Sequence, residues 1–139
     1  MGIAKQAFYE GAALHQLARS TELTSLKYEA PFFVLNRRVL VYLKYSTKTR
    51  SPWGFTFTEE EQVLLRRRAT SDRITIGLIC GGDGVATVSY DDFVGIAAPK
   101  RTAIHVACYR KHKEQYEVSG PDGAIARKIA PSDWMRLLG

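Results

Sequence analysis

The chain has 139 residues, enough for one domain of ordinary size with its own core. With 45% hydrophobic and 24% charged residues, it has the composition of neither a disordered chain nor a collagen. Twenty Lys and Arg against fourteen Asp and Glu leave a net charge of +6, which points towards an acidic partner such as nucleic acid. The two cysteines, Cys80 and Cys108, lie in the apolar runs ITIGLIC and IHVACY and read as buried core thiols. No apolar stretch approaches the length of a membrane span. The opening MGIAKQAFYEG has a mixed-charge helical pattern unlike a signal peptide, and Gln6 stands where a myristoylation signal wants Ser or Thr. A reduced, cytoplasmic protein is the expectation.

Residues 3–19 read as a helix, because Ile3, Ala7, Glu10, Leu14 and Leu17 recur at the spacing of one helical face. That places the Glu10 carboxylate inside the apolar stripe. Residues 25–30 read as a weak strand. PFFVLNRRVLVYLKYS then predicts a hairpin, with Phe32–Leu35 and Val39–Ser46 joined by a turn at Asn36-Arg37-Arg38. Its second arm is apolar on both faces, as expected of a central, covered strand. A three-residue loop puts Phe32 and Tyr42 on one sheet face; a two-residue turn at Arg37-Arg38 separates them.

Ser51-Pro52 breaks the chain before an alternating Trp53, Phe55 and Phe57. Thr58 and Glu61 form a capping box for a helix over 59–69, which opens with three Glu and closes with three Arg. Residues 73–80 and 85–90 predict a second hairpin around Gly81-Gly82-Asp83-Gly84, a turn that lacks the spacing of a phosphate-binding loop. A short helix over 91–98 follows, capped by Ser89, and then a buried strand over 102–109. Residues 115–119 and 124–129 predict a third hairpin through Pro121-Asp122-Gly123. Ser132 is expected to cap a last turn that docks Trp134 and Leu137. The order is α-β-β-β-α-β in a single mixed α/β (α+β) domain over 1–139, with 112–139 as a C-terminal hairpin extension. His15, His105 and His112 show no ligand spacing.

An opening helix with an inward Glu10, a Pro31-led strand, a tight turn and a central strand carrying Lys44 resembles the PD-(D/E)xK nuclease superfamily. The matching frame is Pro31-Phe32, nine residues, then Tyr42-Leu43-Lys44. The resemblance implies a restriction-endonuclease-like core. Two strand carboxylates would hold Mg²⁺ to polarise the phosphate and activate water, and the lysine would stabilise developing charge. Both strand carboxylates are missing here, because Phe32 and Tyr42 stand in their places. What remains is a degenerate site of Glu10, Tyr42 and Lys44, with no metal and no cofactor. A Glu10–Lys44 pair within hydrogen-bonding reach inside the domain is the expected relic, and with Glu10 and Lys44 on opposite faces the family resemblance fails.

Charge is segregated along the chain. Residues 30–58 hold Arg37, Arg38, Lys44, Lys48 and Arg50 without an acid, and 93–113 hold Lys100, Arg101, Arg110, Lys111 and Lys113 without one. These two runs predict one basic surface for DNA or RNA, with Trp53, Tyr45 and Tyr109 as stacking groups. The leading expectation is therefore a nucleic-acid-binding domain without a working metal site, acting as a homodimer or as an accessory subunit of a larger nuclease assembly. One alternative is an active Mg²⁺-dependent nuclease whose ligands have migrated to Glu10 and Glu29. Another is a protein-interaction module exposing Trp53, Phe55 and Trp134.

Overall fold

Turn chemistry and apolar periodicity set the elements, and a computed structural model describes residues 2–139. In chain order these are α1 (Lys5–Ala18), β1 (Leu26–Glu29), β2 (Phe32–Leu35), β3 (Val39–Ser46), β4 (Trp53–Phe57) and α2 (Glu59–Ala69). There follow β5 (Ile74–Cys80), β6 (Gly84–Ser89), α3 (Tyr90–Ile96), β7 (Ile104–Arg110), β8 (Tyr116–Gly120), β9 (Gly123–Ala124) and α4 (Ser132–Met135). The class is mixed α/β, with two sheets. One runs β1-β2-β3-β5-β6, the other β4-β7-β8-β9.

Three antiparallel strands, β1 to β3, form a meander. The chain then passes through β4 and α2 and returns as β5, parallel to β3 with Leu40 opposite Ile74 and Ser46 opposite Cys80. Strand β3 is central, and its alternate residues serve two cores. Leu40 and Tyr42 face Phe55, Phe57 and Val106 of the second sheet and Leu65 of α2. Val41 and Leu43 face Ala13 and Leu17 of α1 and Trp134 of α4.

The first hairpin has the three-residue loop. Leu35 pairs with Val39, so Phe32 falls opposite Tyr42 on one face, with ring centroids 5.5 Å apart. Asn36 makes this turn possible. It adopts φ 54°, and its Oδ1 accepts from Thr24 N–H at 2.7 Å and Ser25 N–H at 3.2 Å. Its Nδ2 donates to Glu22 C=O at 2.7 Å, tying the α1–β1 connection to the hairpin. Asn36→Ala should lose these bonds and strain the left-handed backbone, costing about 2 kcal/mol in urea unfolding. Asn36→Gly, which tolerates the positive φ, should cost less.

Three details depart from expectation. Helix α1 buries Ala13 and Leu17, while Ile3 and Ala7 are exposed, because the chain meets the sheet only from Tyr9 onwards. Residues 112–139 are not an appendage: Tyr116, Val118 and Ile129 belong to the core between the sheets, and Trp134 Nε1 donates to Ala13 C=O at 2.9 Å. Within that segment β9 is only Gly123–Ala124; beyond it Ile125 N–H donates to Val118 C=O at 2.9 Å and Ile129 bridges back to Tyr116. Ser132 is also no cap; α4 begins after Pro131 with no side-chain capping bond. Ser89 does cap α3, accepting from Asp92 N–H at 3.1 Å.

Candidate functional site

Strand β3 points Tyr42 and Lys44 to the same face because they are two residues apart. The carboxylate that meets them comes from α2. Thr58 and Glu61 form the full capping box, with Thr58 Oγ1 accepting from Glu61 N–H and Glu61 Oε1 accepting from Thr58 N–H, each at 3.1 Å. The other oxygen, Oε2, accepts from Lys44 Nζ at 2.8 Å and from the Tyr42 hydroxyl. Lys44 Nζ also lies 5.1 Å from the centre of the Phe57 ring.

The electrostatics follow from this hub. Burial pushes the Tyr42 phenol far above its usual range, and the hydrogen bond to Glu61 and the negative charges of Glu61 and Glu10 add to it. Burial also pushes the Glu61 carboxyl up. Hydrogen bonds from Lys44, Tyr42 and Thr58 N–H, with the Lys44 charge, outweigh burial and hold it below its ordinary value. Tyr42 is thus a committed neutral donor, and Glu61 a committed carboxylate.

The expected Glu10–Lys44 pair does not form. Glu10 is half-buried and accepts from Gln6 Nε2 at 3.0 Å, one turn back on its own helix. Helix α1 covers the Val41–Leu43 face of the sheet, whereas Lys44 points to the face lined by Phe57. Glu29 is likewise apart from Glu10. It lies on the α2 side, 3.5 Å from Arg68, so these two acids do not assemble a shared metal site. Among the described residues, no group of three or more His, Cys, Asp or Glu comes together. The sequence marks Glu61 only as a cap, because its partners on β3 lie 17 and 19 residues away.

The basic residues divide into three places rather than one surface. The first is a cleft of 510 Å³ lined by Thr49, Arg50, Ser51, Trp53, Asp83, Arg110, Lys111, His112 and Lys113. It is built from the loops that follow β3 and β7 and the turn after β5, so it opens at the carboxyl ends of the parallel strands, a common place for ligands in α/β sheets. Gly81 brings the loops together. Its φ is +56°, its N–H donates to Ser46 C=O at 3.0 Å, and a Cβ there would fall 2.1 Å from Lys48 C=O.

Within the cleft, one acid is already neutralised. Asp83 Oδ2 accepts from Arg110 Nη1 at 2.8 Å and from Tyr116 OH at 2.7 Å, and Arg110 lies over the Tyr116 ring. Arg50, Lys111 and Lys113 have no carboxylate within 4.0 Å among the described residues. Lys48 sits in the same loop, its Nζ donating to Pro52 C=O at 2.8 Å.

The second and third groups lie elsewhere. Arg37 and Arg38 are at the hairpin tip, the opposite end of β3, and Arg38 donates to Leu138 C=O at 3.2 Å. Lys100 and Arg101 precede β7, at its far end from Lys111, and Lys100 is paired with Asp122 at 2.9 Å. Trp53 is no stacking platform: it is 3% exposed, and its Nε1 donates to Lys48 C=O at 3.0 Å, holding the cleft loop. Tyr45 stacks on Tyr9 instead, with centroids 5.2 Å apart, while Tyr109 is exposed. Trp53, Phe55 and Trp134 are all buried, so they form no apolar docking patch.

Cys80 and Cys108 are buried free thiols. No helix among the described residues is long and apolar enough to cross a membrane. In comparisons with protein-family models, curated proteins and solved structures, nothing matches the chain.

Proposed function

We propose that the chain binds DNA or RNA through the cleft at the carboxyl ends of β3 and β5, without cutting it. The observation that carries this reading is the set of unpaired cations, Arg50, Lys111 and Lys113, around a cleft whose one acid is held by Arg110 and Tyr116. Such a set holds phosphates by charge, while Ser51, Thr49 and His112 supply hydrogen-bonding groups. The order α1-β1-β2-β3-α2-β5, with β4 inserted, is all that remains in favour of a restriction-endonuclease-like core, and the binding reading does not rest on it. The likeness at the motif is reduced to Pro31 and Lys44, since Glu10 and Lys44 lie on opposite faces. Against catalysis stand the buried rings of Phe32 and Tyr42 where that motif needs carboxylates.

One specific observation favours keeping cleavage as a second reading: Glu61 delivers a carboxylate to Lys44 from another element. Both readings meet in one experiment. Labelled single- and double-stranded DNA and RNA are titrated with protein in EDTA, Mg²⁺ and Mn²⁺, and both anisotropy and product length are followed. Binding is expected to weaken linearly on a log–log salt plot, with intact nucleic acid in every buffer. Metal-dependent products that disappear in Lys44→Ala or Glu61→Gln would replace the binding-only reading. Binding that is absent at low salt, or indifferent to salt, would remove the nucleic-acid reading altogether.

A further inference from the structure

Strand β1 is the outer strand of the five-stranded sheet and pairs only with β2. An antiparallel ladder alternates hydrogen-bonded and non-bonded pairs. Asn36 N–H donates to Ser25 C=O at 2.9 Å, which fixes the phase. With Leu26 opposite Leu35, Lys27 opposite Val34 and Tyr28 opposite Phe33, Lys27 turns its backbone groups towards β2. Leu26 and Tyr28 therefore aim theirs out of the sheet. The same two residues carry exposed apolar side chains, Leu26 at 48% and Tyr28 at 59% exposure.

A free edge of this kind invites another strand unless charge, proline or a covering element blocks it. The charges here are Lys27 and Glu29, opposite in sign, two residues apart, on the face away from Tyr28 and 3.9 Å from each other, a loose exposed pair that a second copy can exchange. Arg68 of α2 approaches Glu29 at 3.5 Å and holds it at the edge. A strand with one cation and one anion placed symmetrically about a central residue is complementary to itself when run antiparallel.

We propose that β1 pairs antiparallel with β1 of a second copy of this chain, about a two-fold axis at Tyr28. The outward N–H and C=O of Tyr28 then exchange two hydrogen bonds with Tyr28 of the second copy. Lys27 stands opposite Glu29 of the second copy, and Glu29 opposite its Lys27, so one substitution is felt twice. Moving the axis by one residue brings Lys27 onto Lys27 or Glu29 onto Glu29, and charge selects Tyr28. No residue lining the basic cleft belongs to β1, so dimerisation and nucleic-acid binding are separable.

The strand is short, so the dimer is weak and concentration-dependent. Sedimentation velocity on the full chain from about 5 to 500 μM should show a dimer that grows with concentration. Lys27→Glu and Glu29→Lys should each weaken it about tenfold or more, and the exchanged pair K27E/E29K should recover part of the loss, short of wild type because Arg68 loses Glu29 as its partner. Amide hydrogen exchange needs no substitution: the Leu26 and Tyr28 amides should slow at high protein concentration. A chain that stays monomeric throughout overturns the proposal. So does a dimer that ignores the charge reversals, or a Tyr28 amide that exchanges equally at both concentrations.

Discussion

Glu61→Ala should destabilise the protein by about 2–3 kcal/mol in chemical denaturation, among the largest losses available from one polar side chain. The substitution removes half of the capping box and leaves both the Tyr42 hydroxyl and the Lys44 ammonium without their acceptor. Tyr42 is buried, so its orphaned hydroxyl carries a desolvation cost. The Lys44 and Glu61 side chains each remain 20% exposed, which lets water soften the loss and keeps it below that of a fully buried pair. Glu61→Gln should cost about half as much, because an amide oxygen still accepts from Thr58 N–H.

The same carboxylate sets an acid limb of stability. Its value is lowered on folding, so between the folded value and the ordinary 4.5 the unfolded chain binds more protons than the folded one. Stability therefore rises with pH in that window. The contribution is complete above about 4.5 and is lost as pH falls through the folded value. The gap between wild type and Glu61→Gln should be widest near neutrality and should narrow in acid. A gap independent of pH would show that the charge of Glu61 contributes nothing.

The second large effect concerns the cleft. Replacing Arg50, Lys111 and Lys113 together by Ala should lower affinity for duplex DNA about 100-fold at low salt. Each cation that meets a phosphate should remove about 0.9 from the slope of log affinity against log salt, or about 0.7 on a single strand. The triple variant should therefore lose two to three units of slope, by about equal steps. Arg37→Ala with Arg101→Ala should leave the slope unchanged, because those residues stand at the opposite ends of β3 and β7. Arg110→Ala should act through folding more than binding, since it releases Asp83 and uncovers Tyr116.

What could be read in advance was local. The two arms of the first hairpin follow from apolar runs around Asn36-Arg37-Arg38, and the α2 cap from Thr58 and Glu61, but the register of Leu35 on Val39 is open between two loop lengths until the structure fixes it. The burial of Phe55 and Phe57 was legible in their alternation; Trp53 alternates in the same phase, yet it was expected as a stacking group, and the structure buries it with them. What escaped was long-range. Nothing near Glu61 in the chain announces Tyr42 or Lys44, and nothing in a glycine-rich turn announces that Asp83 will hold Arg110 and Tyr116. Helical spacing placed Glu10 on the sheet-facing side of α1, but it could not tell that α1 covers the Val41–Leu43 face of the sheet while Lys44 points to the other. Strand direction broke the single basic surface apart: a run of cations close in sequence is spread over both ends of β3, roughly 23 Å at the rise of an extended strand.

On the proposed function, the loops at the carboxyl ends of β3 and β5 hold the phosphate backbone. Amide chemical-shift mapping during a titration with a short oligonucleotide tests it residue by residue. Perturbations should concentrate at 48–51, 81–83 and 110–113, the segments that build the cleft. Perturbations gathered at 36–38 and 99–101 instead, or none at saturating oligonucleotide, would contradict it.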